Sequence, residues 1–509
     1  MFKILWLLLA LSSVSAQNSL FFCDSNLEAL PTQASGRVKP YYVLAHETIK
    51  YISGNSTINK LNATTVFCLL SVESLGLKSK LKLPLKVEHI QVRELLGLKE
   101  NEEIMSAKAL ENKDLLKSEW MGQKENNSYK KELNKVLSRV TLYEQMIAGE
   151  LWTLPEIMED KVEWKSLPNF LTEARMQPYF QKDNREAFPI FFEQIKNDYQ
   201  KTQGDRYQIE LTYAKANFFT WAMLSVLAAI IAFVLSQKNT WGFSFVVVTL
   251  LLEITAITMR VFISGRAPIT NMYETVMFSG FGALILSLII YFIRRDRFFI
   301  IGGLAYNFLC LLMMKFANNM LDPSIQTLVP VLRDNFWLST HVTTIILSYA
   351  ALALSWMLAN IVIITELKKR LTQNDRKYYV DLIYTCMKFG VVLLSAGVIL
   401  GGVWADYSWG RFWGWDPKET WSLIVLLVYM SILHGKYTNW INHNNFVPLV
   451  AAAFLSVMMA WFGVNYILAS GLHSYGFSEG GAIFLGSFFL AQISLLVIYL
   501  IKQKIKVAS

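Results

Sequence analysis

The chain has 509 residues, with 48 Lys and Arg against 39 Asp and Glu, for a formal net charge of +9. Hydrophobic residues make up 53% of it and its mean hydropathy is +0.33. That is too apolar, and too unevenly spread, for a string of soluble domains. Basic residues lie in the polar first part and in alternate short loops. A membrane topology imposes this pattern; a nucleic-acid surface would gather the charge in one patch.

In chain order, Lys3 precedes the apolar run 4–11, and small residues follow up to Ala16. This is signal-peptide grammar, with residues 1–16 cleaved before Gln17; an uncleaved anchor is the alternative. Residues 17–213 then form an exported soluble domain of mixed α/β character. It has a strand-like run at 65–72 and charged helical stretches over 100–135. It carries no repeat, metal-ligand spacing or nucleotide loop. Cys23 and Cys68, exported with it, form a disulfide or remain two thiols. Cys310 and Cys386 fall in apolar spans and read as core residues.

From residue 214 to 509 the chain is a transmembrane domain, so the fold class is mostly α: a polytopic helical membrane protein with an exported domain in front. About nine spans are expected, over 216–235, 243–263, 272–293, 298–316, 341–365, 382–403, 421–434, 446–468 and 483–501. Arg294, Arg295 and Arg297 follow the third span, and Lys368, Lys369, Arg370 and Arg376 follow the fifth. Lys436 follows the seventh, and Lys502, Lys504 and Lys506 close the chain. The positive-inside rule makes these loops cytoplasmic, which leaves 265–270, 318–340, 404–419 and 470–480 outside.

The outer segment between the sixth and seventh spans gathers Trp404, Trp409, Trp413, Trp415 and Trp421 within 18 residues, together with Tyr407 and Phe412. An interfacial aromatic belt spreads such residues over many helix ends. Five indoles in one loop suit a large, flat, apolar ligand instead. Asp416 reads as the loop's own scaffold, capping the helix that Pro417 opens. Of six histidines, His341 opens the fifth span and His473 follows the eighth, both on the side of the Trp run. Singly, each is an ordinary interfacial histidine. Together beside an aromatic platform, they are placed to ligate a haem iron from its two faces. His434 ends the seventh span, roughly 20 Å of helix below Trp421, either as a buried functional group or as a boundary residue beside Lys436. His46, His89 and His443 carry no functional reading. Arg260, Arg266, Arg411 and Lys418 lie near the outer surface as candidate partners for haem propionates. Glu274, beside Asn271 and Tyr273, is costly at a span end without a partner, so it has a structural or pocket role.

The Trp run flanked by His341 and His473 resembles the tryptophan-rich WWD signature of the cytochrome c assembly family, within it the CcsA/ResC branch of the system II pathway. Asn271–Glu274, the run 471–475 and His434 match further pieces, and the resemblance covers roughly residues 241–509. It implies a protein that receives haem b from the inner side and holds it transiently on the outer face. There the haem vinyl groups join the thiols of Cys-x-x-Cys-His motifs in apocytochrome c. The substrate supplies both nucleophiles, so no catalytic residue of the chain's own is expected. By the same resemblance His341 and His473 are the external axial ligands and 404–421, Asp416 included, frames the haem. His434 is then one ligand of a membrane-embedded site whose other ligand comes from a CcsB/ResB-type membrane subunit on a separate polypeptide. A thioredoxin-like thiol reductant is a further expected partner, and the bacterial inner membrane the expected location. The stretch 36–40 resembles a segment found before some bacterial members. The competing readings are a haem-delivery subunit that forms no thioether, a haem-bearing electron-transfer subunit, and a transporter with a Trp-lined vestibule.

Overall fold

The computed structural model describes residues 23, 26–77, 79–99, 102–124, 127–158, 161–172, 187–235, 239–317, 320–328, 334–369, 371–468 and 481–508. The expected signal peptide, residues 1–16, lies outside the described residues, as does His473. The chain forms two compact units, Met1–Ala216 and Asn217–Ser509.

In the first unit, β1 (Pro31–Ala34) pairs antiparallel with β2 (Arg37–Pro40), Ala34 opposite Arg37. Ser35 and Gly36 turn between them with φ of 52° and 73°. A two-residue hairpin needs both in the left-handed region to match the strand twist. This explains the stretch 36–40 structurally. Arg37 forks onto the Glu210 carboxylate with both terminal nitrogens, and buried Lys39 reaches Glu47 at 2.7 Å. Two short ladders follow, β3 (Thr57–Ile58) with β4 (Leu61–Asn62) and β5 (Pro84–Leu85) with β6 (Ile104–Met105). The last hairpin is β7 (Thr153–Met158) with β8 (Lys161–Ser166). Thr153 ties it to the first, its Oγ1 accepting from Gln33 N at 2.9 Å. Helices α1 (Tyr41–Ser53), α2 (Ala63–Ser71) and α3 (Ser128–Ile147) pack around Tyr41, Phe67 and Trp152.

One expected strand is corrected here. Residues 65–72 lie in α2 and the turn after it, because Asn62 caps Thr65 N at 2.8 Å and starts a helix there. Every residue of α2 but Thr65 is buried, and a short run buried on all sides shows no helical period.

Cys23 and Cys68 are joined as a disulfide. It spans 45 residues, and closing such a loop in the unfolded chain stabilises the fold by about 4 kcal/mol on the chain-entropy model. Cys68→Ser is therefore expected to lower the melting temperature of the first unit and to speed its tryptic digestion. Dithiothreitol should do the same to the wild type. Identical digestion of reduced and oxidised chains would show that the bond holds nothing.

The second unit is a helical bundle: α4 (Phe218–Leu235), α5 (Thr240–Ser264), α6 (Met272–Arg294), α7 (Arg297–Phe316), α8 (Thr343–Lys368), α9 (Gln373–Trp409), α10 (Pro417–Tyr437), α11 (His443–Met458) and α12 (Gly481–Ala508). Among the described residues eight helical runs are long and apolar enough to cross a bilayer. This is a polytopic helical membrane protein. The seventh expected span, 421–434, lies in α10, whose 21 residues reach across a hydrocarbon core. It falls outside the eight because Lys418, Glu419, His434 and Lys436 shorten its apolar stretch.

The bundle's helix ends follow local chemistry. Thr372 with Asp375 and Asp416 with Glu419 form reciprocal capping boxes, the second with Pro417 at the first helical position. Polar side chains lock helices where lipid offers no alternative partner: Trp356 Nε1 donates to Gln492 Oε1 at 2.8 Å, and Gln492 Nε2 to Asn360 Oδ1 at 3.1 Å.

Candidate functional site

One end of the bundle opens into a cavity of about 190 Å³ of water-accessible space. Its wall is built by five segments: the α5–α6 connection with the start of α6, the turn before α8 with the start of α8, the last turns of α9, the link to α10 with the first turns of α10, and the segment that follows α11. Two of these segments are π-helical, Leu338–Val342 and Met459–Leu468. Single π turns widen a helix and recur at functional sites.

The first π turn carries His341. Its Nδ1 lies 2.9 Å from the Gly397 carbonyl of α9. A carbonyl only accepts, so Nδ1 donates and the neutral ring keeps its lone pair on Nε2, the arrangement of an oriented ligand histidine. The ring also meets Trp404 edge-on, centroids 5.7 Å apart at 61°. Gly401 lets it approach: a Cβ there would stand 2.6 Å from His341 Cε1.

The expected Trp loop is corrected in its shape. Trp404 and Trp409 sit on the last turns of α9, which runs on to Trp409 and ends at Gly410 with φ 67°. Trp421 sits in the first turns of α10, leaving only 410–416 as loop. The reason lies in the ends. Gly410 accepts the left-handed turn that stops α9, and the Asp416 box restarts helix at Pro417.

This geometry also sorts the indoles. Trp404, Trp409 and Trp413 line the cavity. Trp415, at φ 57°, is turned outward and 70% exposed, touching Trp413 only edge-on at 6.0 Å. Trp421 packs against the bundle core and not on the cavity wall. Asp416 accepts from Glu419 N at 3.0 Å, while Glu419 Oε2 accepts from Gly414 N at 2.6 Å; Asp416 thus shapes the loop that aims Trp413. The indole Nε1 of Trp404 and of Trp413 are buried without a hydrogen-bond partner in the structure. Buried donors need acceptors, so the cavity is suited to a ligand with an apolar body and acceptor groups at this end. Lys418 lines the same part.

The structure also places the remaining expected residues. Arg260 is not available to a ligand: its Nε donates to Glu274 Oε1 at 2.7 Å, and its terminal nitrogens to the Pro323 and Ser324 carbonyls at 2.9 and 3.3 Å. Glu274 also accepts from Thr270 N and Oγ1, both at 2.7 Å, so its role is structural. Arg266 bonds the Gln326 carbonyl, and Arg411 folds over Gly414. His434 is exposed on α10, its Nδ1 2.9 Å from Met430 O. It stands about 18 Å of helix beyond Ser422, where α10 leaves the cavity. The structure does not bring it to His341.

Sequence reasoning missed Trp461, Tyr349 and Asn465, all on the wall. Trp461 Nε1 donates to Thr275 Oγ1 at 3.1 Å. Nothing local marked these residues, because they lie inside ordinary apolar spans.

An aromatic-walled cavity with an oriented histidine, at one end of a multi-pass bundle, defines a membrane protein whose cavity lining is chemically suited to a flat, apolar molecule. The profile of the family described as Cytochrome C assembly protein matches residues 269–473. The cytochrome c biogenesis protein CcsA of Guillardia theta is 34% identical over 239 residues, 42% of this chain and 78% of that protein. CcsA of Prochlorococcus marinus strain MIT 9301 is 32% identical over 278 residues, 48% of this chain and 88% of that protein. Protein NrfI of Wolinella succinogenes is 35% identical over 227 residues, 43% of this chain but only 24% of NrfI. The chain belongs to the CcsA-type cytochrome c assembly family and has a role in cytochrome c maturation.

Proposed function

We propose that this chain holds haem b in the cavity and, with a CcsB/ResB-type membrane subunit, attaches it covalently to apocytochrome c. The observation that carries the reading is His341, its Nδ1 committed to Gly397 O and its ring set against Trp404 on the cavity wall. His473 is the proposed opposite ligand. It follows Asn465, a wall residue, by eight positions (473 − 465). The indole N–H groups of Trp404 and Trp413, with Lys418, suit the haem carboxylates.

Haem is the cargo here and brings the vinyl groups. Each thiol sulfur bonds one vinyl carbon and the thiol hydrogen ends on its neighbour, with no net oxidation. The chain's own residues orient the flat ligand, exclude water from its apolar body and release one axial position to the substrate's histidine. A thioredoxin-like reductant keeps the substrate thiols available. The exposed His434 suits a second haem shared with the partner subunit, since a ligand histidine on a helix surface leaves room for a partner's ligand. The arginine and lysine distribution supports a cavity on the outer side of a bacterial inner membrane, with residues 17–213 exported.

The test is the oxidised and reduced absorption spectrum of the chain purified with its partner subunit, for wild type, His341→Ala and His473→Ala. Each substitution is expected to weaken or shift a b-type spectrum, and added imidazole should restore part of it. Unaltered spectra in both variants would move the haem to His434 and favour electron transfer. Haem-free wild type would favour a transporter.

A further inference from the structure

Glu253 of α5 and Asn307 of α7 meet in the middle of the membrane unit, 2% and 1% exposed. Glu253 lies about 20 Å of helix from Thr240 and about 17 Å from Ser264. Asn307 Nδ2 donates to Glu253 Oε1 at 2.9 Å. The other oxygen of each group, Glu253 Oε2 and Asn307 Oδ1, is buried with no hydrogen-bond partner in the structure. Among the described residues no cation answers the carboxyl. Arg260, seven residues on along α5, is taken up by Glu274 and the 323–324 carbonyls. Lys315, at the far end of α7, bonds Thr220 of α4. The titratable neighbours on α7 are Cys310 and Tyr306, and Tyr306 shares a 3.0 Å hydrogen bond with Ser279 of α6. A carboxylate there would be a charge without counterion in a low-dielectric interior, and two acceptors would stand with nothing to accept.

One proton removes both faults. We infer that Glu253 is a carboxylic acid and that Glu253–Asn307 is a proton-binding site in the membrane unit. Glu253 Oε2–H donates to Asn307 Oδ1 while Asn307 Nδ2–H donates to Glu253 Oε1, closing an acid–amide ring that satisfies all four groups. A metal cation fits less well. It would find two open oxygens, since the Tyr306 and Ser279 hydroxyls are engaged with each other, and small hard cations take about six ligands. Asn307 packs against Gly280, about 8 Å along α6 from Thr275 on the cavity wall. The acid therefore neighbours the cavity without lining it, as a group that lends and recovers a proton would be placed.

Infrared difference spectra of the full chain in nanodiscs test this, wild type minus Glu253→Gln at neutral pH. The expected result is a protonated-carboxyl carbonyl band that shifts in D2O and is absent from the variant. Glu253→Gln should melt with the wild type, because its amide reproduces both hydrogen bonds. Asn307→Leu should move the band to higher frequency by freeing the carbonyl, which keeps the test valid if Glu253→Gln misfolds. Carboxylate bands alone, or an acid band unmoved by Asn307→Leu, would overturn the assignment. So would conversion of the acid band to carboxylate bands on adding sodium chloride, which would mark a cation site.

Discussion

Arg260→Met is expected to be the most destabilising single substitution at the cavity end of the bundle, costing about 3–5 kcal/mol. Arg260 and Glu274 are 0% and 1% exposed at the side chain, and the arginine also holds the Pro323 and Ser324 carbonyls. Its loss strands a buried carboxylate and two loop carbonyls together. Residues 320–328, which pass over this end of the bundle, should then exchange their amide hydrogens faster, and thermal unfolding in detergent should begin earlier. Arg260→Lys is expected to recover only part, since an ammonium cannot match the guanidinium fork's three directions. Arg266→Met provides the comparison. Its exposed bond to the Gln326 carbonyl should contribute under about 1 kcal/mol. If Arg260→Met melted with the wild type, the ion pair would not be what holds the loop.

The second large effect is at a residue with no side chain. Gly401→Ala places a methyl group 2.6 Å from His341 Cε1 and 3.1 Å from its Nδ1, so the imidazole must swing off the Gly397 carbonyl. Disturbing the hydrogen bond that orients a metal-ligating histidine costs about 10–100-fold in affinity. Haem retention by Gly401→Ala, titrated in the purified complex, is expected to fall by that factor while the chain still folds and inserts. Gly486→Ala is the matching control, because no atom lies within 4 Å of an added Cβ there. Unchanged haem retention in Gly401→Ala would separate His341 from the ligand and send the proposed site elsewhere.

Much of this protein is read from the sequence directly, for physical reasons that can be named. Apolar runs of bilayer length must satisfy their backbone polar groups internally, as a helix does, so the expected spans fall on described helices. Helix starts were equally legible where a side chain supplies the missing hydrogen-bond partner, as at Asp416-Pro417 with Glu419. The concentration of tryptophan over 404–421 was visible as composition alone. What composition does not contain is direction.

The tertiary structure decided that direction. It separated Trp404, Trp409 and Trp413 on the wall from exposed Trp415 and from Trp421, packed against the core, because each depends on where α9 stops and how α10 rotates against its neighbours. It recruited Trp461 through a π-helical segment whose extra residue per turn is set by packing and not by the local sequence. It also turned Arg260 from a candidate propionate partner into a structural clamp. Span, cap and residue content are local properties of a chain. Which side chains share a cavity is fixed only when distant helices choose their faces.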